Sequence, residues 1–159
     1  MHSPTMNNRQ VAIIEGGLHT DDRGSLAFFN DFPLSGIKRF YIIRPREPHA
    51  VRGWVGHQCE HKWFAALVGV FTVAVVQPDN WQAPTANLPV STFVLNAAIP
   101  RILSIPPGHA TAIVSGGPQT ALMVFSTGKI QDSPSDTFRF PPDFWRVSEQ
   151  SSEENCESF

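Results

Sequence analysis

The stretch "KWFAALVGVFTVAVVQ", Lys62–Gln77, carries the fold. It holds two consecutive runs, "KWFAALVG" and "FTVAVVQ", rich in aromatic and β-branched residues and without helical periodicity. Runs of this length and composition read as strands. Outward from them the same kind of segment recurs between Gly, Pro, Asn and Asp: "VAIIE", "GSLAFF", "IKRFYIIR" and "AVRGWVGH" before, "STFVLN", "ILSIPP", "TAIVS" and "ALMVFS" after. Fourteen prolines and eleven glycines fall mostly between the segments and leave little room for long helices. The expectation is an all-β antiparallel sandwich or barrel of about eight to ten strands, large enough to enclose one small ligand. "PPDFW", residues 141–145, is expected to start one helical turn.

At 159 residues the chain fits one domain. The reading places it at 9–147, after a flexible N-terminus (1–8) and before a disordered acidic tail (148–159) of low hydrophobicity. A net charge of −2 and a pI near 6.3 argue against nucleic-acid binding as the main task. Four acids, Glu149, Glu153, Glu154 and Glu157, lie in the tail, so the body is mildly positive and suits an anionic small molecule. Two distant cysteines, Cys59 and Cys156, do not make a disulfide framework. No apolar run approaches the ~20 residues of a membrane span, and "MHSPTMNNRQ" lacks a signal-peptide pattern. A soluble, cytoplasmic protein is expected.

The densest chemistry lies in "VRGWVGHQCEHKWF", Val51–Phe64, where Arg52, His57, Glu60, His61 and Lys62 fall within eleven residues. Clusters of groups with perturbable charge are commoner at sites than in structural positions. Read as one strand over 52–64, alternation puts Val55, His57, Cys59, His61 and Trp63 on one face, with Trp54, Glu60, Lys62 and Phe64 on the other. Gly53 and Gly56 allow a bulge or a close backbone approach.

Several motifs, in order, resemble the small cupins of the dTDP-sugar 3,4-ketoisomerase (WxcM-like C-terminal) type and, more distantly, dTDP-4-dehydrorhamnose 3,5-epimerases. They are "DDRGSLAFF" (21–29), "IKRFYII" (37–43), "RGWVGH" (52–57), "KWFAALVG" (62–69), "IPPG" (105–108) and "SDTFRF" (135–140). The resemblance covers about Ile13 to Trp145. It implies a cupin barrel, a homodimer, and cofactor-free proton transfer on a nucleotide-activated 4-keto-6-deoxyhexose. In that chemistry a base removes the proton beside the ketone, and cations or hydrogen-bond donors hold the enediolate. The implied catalytic residues are His57 as base, Tyr41 as acid and Lys62. Arg52, Arg23 and Arg39 are candidates for phosphate or enolate, and His61, His109 and Trp63 are further candidate substrate contacts. Asp136 and Arg139 read as a structural or lid segment.

The chain departs from the pattern at two positions. Val55 stands where relatives have a histidine, and Thr111 where metal-binding cupins have their later one. The expectation is therefore no metal and no cofactor, although His57, His61, Glu60 and His109 include ligand-type residues. Three alternatives remain beside the ketoisomerase: a 3,5-epimerase of the same substrate class, a non-catalytic sugar-nucleotide-binding cupin, and a metal-dependent cupin.

Overall fold

A computed structural model describes residues 9–147. The expectations for 1–8 and 148–159 lie outside the described residues. Twelve strands run in chain order: β1 Ala12–Glu15, β2 Gly17–Asp21, β3 Gly24–Phe28, β4 Arg39–Ile43, β5 Val51–His57, β6 Lys62–Val68, β7 Val70–Val76, β8 Ser91–Asn96, β9 Arg101–Ile105, β10 His109–Ser115, β11 Ala121–Ser126 and β12 Phe138–Arg139. They form two five-stranded sheets, β1-β9-β6-β11-β4 and β12-β5-β10-β7-β8, and a separate β2–β3 hairpin. Every pairing is antiparallel. Among the described residues the only helical element is a 3-10 turn, Ser133–Asp136. "PPDFW" instead makes a single turn in which the Phe144 amide donates to the Pro141 carbonyl at 3.0 Å. No helix of the described residues is long and apolar enough to cross a membrane.

The sheets face each other across a core of Phe64, Phe71, Val73, Leu103, Leu122 and Val124, each 0–2% exposed. Burying such a side chain is worth about 1.5–3 kcal/mol. β7 shows why "VFTVAVV" lacks polar alternation. Phe71, Val73 and Val75 point between the sheets, while Ala74 and Val76 back onto a second cluster around Trp54 and Trp145. A strand covered on both faces reads as a continuous apolar run. On the outside of the other sheet, Trp63, Ala65 and Ile102 pack under Phe29, Phe32 and Ile37.

β5 carries the irregularity that shapes the site. Its register against β10 pairs Val55 with Thr111 but Gly53 with Ala112, so Trp54 is the extra residue of a bulge. Simple alternation would put Arg52 on the face opposite Val55 and His57. The bulge resets the parity, and all three line one cavity while Trp54 turns outward to Trp145. Gly53 has φ +135°, and a Cβ there would sit 2.6 Å from the Thr111 carbonyl oxygen. Gly53→Ala is therefore expected to cost at least about 2 kcal/mol of stability and to displace Arg52. Denaturant unfolding measures the first effect, and an unchanged midpoint would mean that the bulge does not need glycine.

Candidate active site

The turn after β5 overturns the single-strand reading of 52–64. β5 ends at His57, residues 58–61 turn, and β6 starts at Lys62. The turn restarts the alternation, so Lys62 and Phe64 share the interior with Val55 and His57. His61 and Trp63 are left outside it. The interior opens into a cavity of about 200 Å³. One sheet supplies Arg39, Tyr41, Lys62 and Phe64, and the other Arg52, Val55, His57, Thr111 and Arg139, with Ser133 and Thr137 at the rim.

His57 is 6% exposed, and its Nδ1 lies 2.7 Å from the Asp136 carbonyl oxygen. A carbonyl only accepts, so Nδ1 carries the hydrogen and donates it. Nε2 is then the lone-pair nitrogen, and it is buried with no hydrogen-bond partner in the protein. Burial, and secondarily the charge of Lys62, pushes the His57 pKa below its ordinary value, against the opposing pull of Glu60 and Asp136. The ring is thus neutral at pH 7, a cavity-lining imidazole with one unpartnered basic nitrogen.

The turn that ends β5 is locked by Asp136. Its carboxylate accepts from the amides of Gln58 at 2.8 Å, Cys59 at 3.1 Å and Glu60 at 2.9 Å. One residue therefore fixes the turn with its side chain and the His57 tautomer with its main chain. Glu60, 5% exposed, receives Arg39 Nη2 at 3.0 Å and the Ser126 hydroxyl. Burial raises its pKa, but Ser126, Lys62, His57 and Arg39 together outweigh burial and hold the carboxyl below its usual range.

On the facing sheet Lys62 Nζ donates to the Tyr41 hydroxyl at 3.1 Å, and the Arg39 guanidinium lies 5.3 Å from the centre of the Tyr41 ring. The phenol is thus held between two cations. Arg52, Lys62 and Arg139 have no carboxylate within ion-pair distance among the described residues. No acidic side chain lines the cavity itself. A concave site with four cations in its wall attracts an anion.

Of the residues singled out from sequence, His57, Tyr41, Lys62, Arg52 and Arg39 meet here. Arg23 lies at the exposed β2–β3 turn, donating to Asp21 at 2.7 Å. His109 pairs with His57 in register but donates Nδ1–H to the Pro106 carbonyl at 2.9 Å and lines a separate cavity with Val11, Val75 and Gln77. His61 stacks on Trp63 at 3.9 Å, with Nε2 2.8 Å from the Ser104 hydroxyl. Sequence reasoning left out Arg139 and Thr111 as cavity residues. Arg139 enters because β12 pairs with β5, Arg139 opposite Val55. Its signal was the "DTFRF" segment, read there as structure or lid.

Burial, and then the charge of His109, lowers the His61 pKa to about 4. The unfolded chain takes up this proton near pH 6.5, so between about pH 6.5 and 4 it binds more protons than the folded one, and stability falls as pH falls. The loss reaches about 3 kcal/mol near pH 4. Thermal midpoints of wild type and His61→Gln across this window are expected to converge at low pH. Parallel curves would remove His61 from the acid sensitivity.

His57, Glu60 and Asp136 bring potential ligand atoms within 4.8 Å of one another. Most of the ligand atoms are already engaged, however: Nδ1 with a carbonyl, the Asp136 carboxylate with three amides, and Glu60 Oε1 with Arg39 and Ser126. Val55 and Thr111, beside His57 on the same sheet, are apolar or weakly donating, and Lys62, Arg52 and Arg139 share the wall, so the set does not fit a cation.

No protein-family model matches the chain, and no curated protein is similar to it in sequence. Solved structures do share its fold. The sugar 3,4-ketoisomerase QdtA from Thermoanaerobacterium thermosaccharolyticum, in complex with TDP, is 21% identical with a TM-score of 0.64 over 88% of this chain and 93% of that one. The TDP-quinovose 3,4-ketoisomerase WlaRB from Campylobacter jejuni is 20% identical, with a TM-score of 0.65 over 87% and 99%. A dTDP-4-dehydrorhamnose 3,5-epimerase from Bacillus anthracis, with TDP and PPi bound, is 18% identical, with a TM-score of 0.67 over 92% and 90%. The expected all-β cupin barrel is thus the fold of this protein.

Proposed function

We propose that this protein is a cofactor-free isomerase that moves the ketone of a nucleotide-linked 4-keto-6-deoxyhexose from C4 to C3. The observation that carries the reading is His57, with an unpartnered lone-pair Nε2, in the lining of a cavity whose charged side chains are all cationic. The QdtA ketoisomerase and the epimerase of like fold bind TDP, and a mutant of QdtA occurs in complex with TDP-4-keto-6-deoxyglucose.

In this reading His57 Nε2 takes the C3 proton, made acidic by the neighbouring ketone, and the C3–H electron pair becomes the enediolate double bond. Lys62 and the arginines balance the charge that develops on the C4 oxygen. The His57 imidazolium, its proton exchangeable with water, gives a proton to C4 and returns to the neutral ring, and transfer of the O3 proton to the C4 oxygen leaves the ketone at C3. The Tyr41 hydroxyl, held by Lys62, both donates and accepts, and so suits the oxygen-to-oxygen relay. Arg52 and Arg139 hold the diphosphate as bidentate donors. We also propose a cytoplasmic homodimer, which light scattering of the full chain tests.

Incubation with TDP-4-keto-6-deoxyglucose in heavy water decides among the chemistries. Ketoisomerisation puts deuterium at C4 of a 3-keto product and, by reversal, at C3 of recovered substrate. A 3,5-epimerase labels C3 and C5 instead. Binding with no exchange at any carbon would sink the enzymatic reading and leave a sugar-nucleotide-binding cupin.

A further inference from the structure

We propose that Glu60 is a positioning residue for His57, the fixed negative charge that stabilises the imidazolium formed when His57 takes a proton. This deepens the isomerase reading and rests on it. Glu60 sits in a built socket. Its Oε1 takes Arg39 and Ser126, its amide donates to Asp136, and the backbone of Gly128 passes so close that a Cβ there would lie 2.7 Å from the carboxyl carbon. Arg39 completes the socket by donating Nε–H to the Gly128 carbonyl at 3.1 Å. With Oε1 occupied, Oε2 is turned to His57 Nδ1 at 3.0 Å.

The two groups beside Nδ1 have different tasks. The Asp136 carbonyl takes the Nδ1 hydrogen and so sets the tautomer, whereas Glu60 contributes charge. Before proton transfer the ring is neutral and the carboxylate interacts with it weakly. Once Nε2 is protonated, the pair becomes an ion pair out of water. The interaction therefore strengthens along the reaction, which is the kind that accelerates it. The other charged groups facing His57 are Lys62 from β6, Arg52 on its own strand, Arg139 from β12 and Arg39 behind Glu60, all opposing an imidazolium, together with the Asp136 carboxylate at 4.0 Å.

Nitrogen-15 NMR of the histidine rings, titrated in the full chain without substrate, tests the pair independently of any reaction. In Glu60→Gln, His57 is expected to titrate at lower pH than in wild type, and in Glu60→Asp, which keeps the charge, closer to wild type. In the exchange assay Glu60→Gln is expected to lose about tenfold or more in kcat with little change in KM, and the acid limb of kcat/KM moves to lower pH. Should Glu60→Gln fail to fold, Gly128→Ala, which pushes a methyl against the carboxylate, is expected to lower the His57 titration in the same way. A folded Glu60→Gln with an unchanged His57 titration overturns the proposal. An NMR shift with no isotope exchange even in wild type retains the pair and removes the isomerase reading instead.

Discussion

His57→Ala is expected to lower deuterium incorporation from heavy water by roughly 10²–10⁴-fold, equivalent to about 3–5 kcal/mol of barrier, while TDP binds as it does to wild type. Nε2 of His57 is the buried basic nitrogen whose hydrogen-bonding capacity the protein leaves unused, and Nδ1 is committed to the Asp136 carbonyl. Val55, where the family resemblance implies a further histidine, pairs with Thr111, and neither side chain accepts a proton near neutral pH. His61 does not substitute, because it lies on the outer face against Trp63 and Ser104. The loss should therefore appear in kcat rather than in affinity. His57→Asn, which keeps a polar side chain at the wall, should be as inactive as His57→Ala. Retention of more than a tenth of the exchange rate in both variants would assign the base to another residue.

The double variant Arg52→Ala with Arg139→Ala should bind TDP at least about a hundredfold more weakly, since hydrogen bonds to a charged group are worth about 1.5–3 kcal/mol each. The two arginines reach the same cavity from adjacent strands, β5 and β12, and neither has a carboxylate partner among the described residues. Like charges held together without compensation destabilise a fold, so the same variant is expected to melt at a higher temperature than wild type, a site paying in stability for function. Its TDP affinity should also depend less on salt, because fewer screened charge pairs form. Calorimetric titration at two ionic strengths, beside thermal unfolding, reads all three effects. Unchanged affinity would move the anion away from this wall, and a lower melting temperature would mean that the arginines serve packing.

Ten segments read as strands from composition each overlap a strand of the structure, β1 and β3 to β11. The two that were missed show the limit of such reading. β2, "GLHTD", has no buried residue and carries no apolar alternation, and β12 is two residues long, defined only by its pairing with β5. Site residues follow the same division. His57, Lys62, Tyr41, Arg52 and Arg39 were legible because ionisable side chains stand out in apolar strand sequence. Asp136 acts on His57 through its carbonyl, which every residue possesses, so no side-chain pattern announces that role. Glu60 belonged to the dense cluster, but its contacts with Arg39, Ser126 and Gly128 join residues up to 68 positions apart.

By itself the amino-acid order determined that the chain is built of short strands and that polar chemistry is concentrated near His57. These are local properties, set by β-propensity, turn residues and side-chain type. Which side chains face one another was decided in three dimensions. The bulge at Gly53 and Trp54 and the turn at 58–61 each reset a period-two alternation, and a single such step exchanges the faces of everything beyond it. Arg52 and Lys62 enter the cavity, and His61 and Trp63 leave it, because of backbone steps fixed by the neighbouring strands and by Asp136.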